Sequence, residues 1–223
     1  MNCPNYFEPC YYSTRLLEKL RLLDTKNVLD FDLINKAIYW AKKYHGDQKR
    51  KSGEPYYSHP LEVAYMISEY KLKTDVIVAS ILHDIIEDTE VTAGMILDHF
   101  SWRIAKMVDR LTRDRPDGSK LSVEQVLNNS YQLKDNEVLL IKTFDRLHNL
   151  QNIHYLTEEK QIATARETID TVLIAVAYLE DNKTEFAIGT ITNSILNYKA
   201  RGNILNYKSD NSSLGSTYLS RFI

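Results

Sequence analysis

A chain of 223 residues with 43% hydrophobic and 26% charged residues has the size and balance of one globular domain with short extensions. Its formal net charge of −2 supplies no global basic field, so nucleic acid is not an expected partner. No apolar run approaches the roughly 18 residues of a membrane span. Seven glycines, with no GxGxxG and no P-loop pattern, argue against glycine-built phosphate loops and favour helices.

Residues 1–27 read as a leader that lacks the basic and apolar regions of a signal peptide, which points to the cytoplasm. Its two cysteines, Cys3 and Cys10, have no neighbouring Cys or His to complete a zinc site and are expected to be reduced, exposed thiols. Helical spacing of apolar residues begins with Leu33, Ile34, Ala37, Ile38 and Ala41. Asp30 or Asp32 caps that helix, and Gly46 stops it after His45. The basic loop Asp47-Gln48-Lys49-Arg50-Lys51-Ser52-Gly53-Glu54-Pro55 follows, then a helix from about His59 through Ile67.

Thr74 or Asp75 caps the next helix, which carries Ile77, Ala79, Ile81, Leu82, Ile85 and Ile86. Amphipathic stretches near 91–100 and 102–112 precede a polar loop at 113–119. Helical patterning returns near 122–132, 136–154 and 158–180, with a weaker helix over 184–199. Residues 200–223, rich in Asn and Ser, are expected to be mobile. The expected fold is all-α: a helical bundle over 28–182, then a C-terminal helix and tail over 183–223.

Four residues stand out as a set: His59, the doublet His83-Asp84, and Asp145. Two imidazoles and two carboxylates suit a borderline or hard divalent ion. An isolated His-Asp dipeptide is a weak signal, but here it interrupts the apolar run Ile81-Leu82-His83-Asp84-Ile85-Ile86, with Glu87 and Asp88 one turn on. Buried, those charges would cost several kcal/mol without a counter-ion. On one continuous helix Glu87 would lie under His83 and Asp88 under Asp84.

At this point the chain resembles the HD-type hydrolase domain of the RelA/SpoT family, of the small hydrolase-only type. Three stretches carry the likeness in order: His45-Gly46-Asp47-Gln48-Lys49-Arg50-Lys51-Ser52-Gly53-Glu54-Pro55-Tyr56 with His59-Pro60; Leu82-His83-Asp84-Ile85-Ile86-Glu87-Asp88-Thr89; and Asp145-Arg146-Leu147-His148-Asn149. The resemblance implies manganese-dependent removal of the 3′-pyrophosphate from guanosine 3′,5′-bis-pyrophosphate or its penta-phosphate relative. It implies His59, His83, Asp84 and Asp145 as metal ligands, and Glu87 and Asp88 as the acidic pair that handles the attacking water. Arg50, Lys51, Ser52 and Asn149 would contact the nucleotide. The stretch after residue 183 is expected to be too short for the synthetase domain of longer members.

One departure touches the cleft: Leu150-Gln151-Asn152 stands where the family commonly has Met-Arg-Thr, which bears on substrate affinity more than on metal binding. Another phosphorylated nucleotide as substrate, or a non-catalytic alarmone-binding module, are the competing readings. His45 reads as a residue near a helix C-terminus, His148 as a packing neighbour of a ligand, and His99 and His154 as surface or core-edge residues.

Overall fold

The computed structural model describes residues 6–179, 184, 188–193, 195 and 196. Its first helix, α1 (Tyr11–Leu23), lies inside the stretch read as a leader, where the sequence reading placed no element. Leu16 and Leu20 are fully buried on it, one turn apart, and pack against α3 (Ser58–Ile67). Cys10 precedes α1 and is half-buried, in place of the exposed thiol expected. Cys3 lies outside the described residues.

Helix α2 (Phe31–His45) starts as expected: the Asp30 carboxylate accepts the Leu33 N–H, and Gly46 ends it at a φ of +49°. α4 (Thr74–Ile81) has no side-chain cap of its own. Thr74 Oγ1 instead accepts the Asp30 N–H at 2.9 Å, tying the starts of α2 and α4 together. α3 is central, packed against α1, α4 and α9 (Asn136–Gln151). Leu61, Val63, Ala64 and Ile67 fill the space between them.

The helix expected to run through the His-Asp doublet is broken. α4 stops at Ile81, residues 82–84 form a turn, and α5 (Ile85–Asp88) is a single turn. Leu82 (φ −103°, ψ 4°) and Asp84 (φ −100°, ψ −4°) occupy the sparsely used bridge region. The cause is visible in His83, whose Nδ1 donates to the Ser80 carbonyl at 2.8 Å and satisfies one of the orphan carbonyls at the end of α4.

α6 (Ala93–His99) and α7 (Trp102–Leu111) follow, capped by Thr92 and Ser101. The 113–119 loop closes on a bridge between Asp114 and Lys120 and leads to α8 (Val123–Gln132). A 3₁₀ turn at Ile153–Tyr155 ends the α9 region. α10 (Glu158–Glu167) then passes through a π-helical turn, Thr168–Val172, into α11 (Leu173–Tyr178). The fold is all-α, with no named strand among the described residues. Of the expected helix at 184–199, the described positions are helical; the expected mobile tail lies outside them.

Candidate functional site

The turn after α4 faces the first turn of α3 and the middle of α9, and this brings His59, His83, Asp84 and Asp145 together. His59 and His83 are each 1% exposed. His59 Nε2 lies 3.1 Å from Asp145 Oδ1 and 3.5 Å from Asp84 Oδ2. His83 Nε2 lies 3.2 Å from Asp84 Oδ1 and 3.7 Å from Asp145 Oδ1, yet it makes no hydrogen bond. A buried imidazole nitrogen with no partner costs free energy. Its other nitrogen is engaged by Ser80, so it points inward at two carboxylates. That arrangement fits a cation. One atom each from His59, His83 and Asp145 fall within 4.8 Å of one another.

The second nitrogens set the ring orientations, as outer partners of metal-binding histidines do. His59 Nδ1 is 2.8 Å from His148 Nδ1, so one of the two donates. Burial, with the charges of His59 and Arg50, lowers the His148 pKa to about 3 and keeps it neutral. For His83 burial works downward, but Asp84 and Asp145 outweigh it and raise the pKa to about 10. A proton or a metal ion on His83 thus answers the same negative charge. Asp145 is held well below the usual carboxylate range, against burial, chiefly by Lys142, whose Nζ is 2.9 Å from Asp145 Oδ2.

Above this floor opens a cavity of about 570 Å³. Lys49, Arg50, Lys51, Arg113, Lys142 and Arg146 line it, with Glu167 paired to Arg146 as the acidic residue away from the floor, so the wall is net positive on a chain of net charge −2. The basic loop folds as a small hairpin: Arg50 N–H donates to the Glu54 carbonyl at 2.9 Å, and Gly53 takes a φ of +89° at the tip. Ser52 reaches the cavity with its hydroxyl buried and unpartnered. Asn149 also lines it, donating to Asp145 Oδ1 at 2.7 Å and accepting from Arg50 at 3.0 Å.

The acidic pair divides. Asp88, exposed, shares the Tyr56 hydroxyl with Asp84, and its Oδ2 accepts from that hydroxyl at 2.6 Å. Glu87 turns to the 113–120 loop, where it accepts the Arg113 N–H at 2.6 Å and lies 3.6 Å from Lys120 Nζ. The expected stacking of Glu87 under His83 assumed a continuous helix, and the 82–84 turn removes it.

Sequence reasoning missed Lys142, Arg113, Arg146, Tyr56 and Tyr155 in the cavity wall. Lys142 sits one turn before Asp145, a readable spacing; Arg113 carries no such signal. Asn152, from the departing segment, lines the cavity too and donates to the His148 carbonyl. His45, read as a helix-end residue, is 2% exposed and stacks on Tyr56, ring centroids 4.7 Å apart. His99 and His154 are exposed, as expected.

Residues 37–171 match the family model described as HD domain. A GTP pyrophosphokinase of Myxococcus xanthus is 38% identical over 149 residues, which is 63% of this chain and 20% of the relative. A guanosine-3′,5′-bis(diphosphate) 3′-pyrophosphohydrolase of Aquifex aeolicus is 38% identical over 141 residues, 61% of this chain and 20% of the relative. The chain spans about a fifth of the length of these curated relatives. A solved structure, of a metazoan ortholog of SpoT that hydrolyzes ppGpp, aligns with a TM-score of 0.53 and 20% identity, covering 87% of this chain and 99% of that one. That likeness concerns the fold.

Proposed function

The chain belongs to the HD-domain family, and from that premise we propose that it is a cytoplasmic hydrolase. Its reaction is removal of the 3′-pyrophosphate from guanosine 3′,5′-bis-pyrophosphate or its penta-phosphate relative, leaving GDP or GTP. One observation carries the reading: the unpartnered, buried His83 nitrogen faces two carboxylates beneath a wall of cations. The floor suits a divalent ion and the wall suits a polyanion. The name of the Aquifex aeolicus relative supports the choice of substrate.

We assign His59, His83, Asp84 and Asp145 to one manganese ion. Bound there, it would lower the pKa of a water and neutralise a phosphoryl oxygen. The chain's own residues do the remaining work. Lys142, Arg113 and Arg146 oppose the charge of the pyrophosphate as it leaves. Asp88, beside Asp84, accepts the proton of the attacking water. Arg50 and Lys51 hold the nucleotide by charge, and Arg50 can also lay its planar guanidinium on the base. Ser52 offers its free hydroxyl, and Asn149 contacts the sugar-phosphate side. Glu87 belongs to the same acidic pair and acts from the side of Arg113.

The test is purified protein with manganese against a panel of phosphorylated nucleotides, products followed by ³¹P NMR. GDP or GTP with pyrophosphate is the expected outcome. Turnover of another 2′- or 3′-phosphorylated nucleotide with the alarmone untouched would move the substrate. Binding of the alarmone without turnover would make this a sequestering module.

A further inference from the structure

The basic hairpin and the acidic pair are 40 residues apart in sequence, yet the structure closes them into a ring of contacts. Gln48 and Tyr56 face each other across the open end of the hairpin, the Tyr56 N–H donating to the Gln48 carbonyl at 2.8 Å. Both side chains reach to the end of α5. Gln48 Nε2 donates to the Asp88 backbone carbonyl at 2.8 Å, and the Tyr56 hydroxyl donates to Asp88 Oδ2 at 2.6 Å. His45 completes the ring, its Nδ1 2.9 Å from Gln48 Oε1 and its face stacked on Tyr56. Since Gln48 gives its amide hydrogens to Asp88, its oxygen accepts from His45, and the direction of each bond is set.

An exposed carboxylate at the end of a one-turn helix has little of its own to fix it. A short hydroxyl-to-carboxylate bond is among the stronger protein hydrogen bonds. Asp84 Oδ2 lies 3.3 Å from the same hydroxyl. A hydroxyl has one proton, and the shorter contact places it on Asp88, so Asp84 keeps its oxygens for a cation.

We propose that Tyr56 is a positioning residue that holds one oxygen of Asp88 and aims the other at the reacting centre, a role that rests on the hydrolase reading above. His45 and Gln48 brace it. Because Tyr56 and Gln48 are also the base of the hairpin whose tip carries Arg50, Lys51 and Ser52 into the cavity, the substrate contacts and Asp88 are seated as one unit.

The experiment compares wild type, Tyr56→Phe, Asp88→Asn and the double variant in steady-state kinetics, manganese content and crystal structures. Tyr56→Phe should lower kcat by roughly 10–100-fold, part of what a full carboxylate base contributes. KM should stay within about twofold and manganese content unchanged. In the Asp88→Asn background the same change should cost nothing further, since a residue acting through another loses its effect when that partner is gone. An additive loss, wild-type kcat, or loss of manganese overturns the proposal, the last by making Tyr56 a support of Asp84. The crystal structures read the same question without turnover: the Asp88 carboxylate should swing away in Tyr56→Phe, and an unmoved carboxylate overturns the role. A wild type that hydrolyses no alarmone, with Asp88 displaced in the variant, would sink the substrate and leave the positioning standing.

Discussion

His83 uses its two nitrogens for different ends: Nδ1 closes off α4 at Ser80, and Nε2 faces the carboxylates. Its replacement by Ala should therefore loosen the turn as well as the ion. His83→Ala and Asp145→Ala should each lose bound manganese and fall to a similar residual kcat, because the four groups act as one unit. Metal analysis beside kinetics checks this, and full manganese with wild-type turnover in either variant rejects the assignment. His148→Ala removes the partner of His59 Nδ1 and should weaken manganese affinity by about 10–100-fold. Competition with a fluorescent chelator would read that shift, and an unchanged affinity would leave His148 a packing residue. Arg50→Ala and Lys51→Ala should raise KM with kcat little changed, the effect shrinking at high salt. Salt-independent binding in both variants would move the polyanion elsewhere. The His83-Asp84 doublet was legible because it interrupts an apolar run where charge needs a reason, and His59 and Asp145 joined it through the family resemblance. Glu87 was misdirected because its direction depends on the 82–84 turn, which the Ser80–His83 contact and the Ile85 N–H bond to the Leu82 carbonyl close.

Among the elements, α1 shows how a readable signal is passed over. Leu16, Leu20 and Leu23 recur at helical spacing, but they stand in a stretch opened by Cys, Pro and Tyr residues and set apart from the motifs. In the fold α1 is no appendage: Lys19 Nζ donates to the Tyr65 carbonyl of α3 at 2.8 Å, and Asp24 caps the chain's return by accepting from Val28 and Leu29. Leu20→Ala should destabilise the protein by about 2–5 kcal/mol, the range for deleting a buried leucine side chain. Urea denaturation measures it, and a loss under about 1 kcal/mol, small for a buried large-to-small change, would mean that α1 does not belong to the cooperative core. Most helices of the bundle were legible from periodicity, and Asp30 as the cap of α2; that Thr92, Ser101 and Ser122 cap α6, α7 and α8 is seen only in the structure. The break at 82–84 was not legible, since the apolar residues on either side of the His-Asp doublet continue a helical pattern and no Gly or Pro stands between Ile77 and Ile86.

For the molecule as a whole, the proposed metal site should couple ion binding to stability. α3, the α4–α5 turn and α9 each give a residue to the centre, so an ion that binds them binds only the folded chain. Manganese at about 100 times its dissociation constant should raise stability by about 2.7 kcal/mol. EDTA should lower the melting temperature and abolish activity, with manganese restoring both; a melting point indifferent to chelator would contradict a centre shared by three elements. His83 then answers to the fold as well as to the proposed ion. In the chelated wild type a proton on His83 can take the ion's place between Asp84 and Asp145, so the buried charges stay balanced. In EDTA, His83→Leu should melt below the wild-type temperature, since it strands Asp84 and Asp145 and frees the Ser80 carbonyl; an equal or higher melting point would show that His83 carries no share of the metal-free fold.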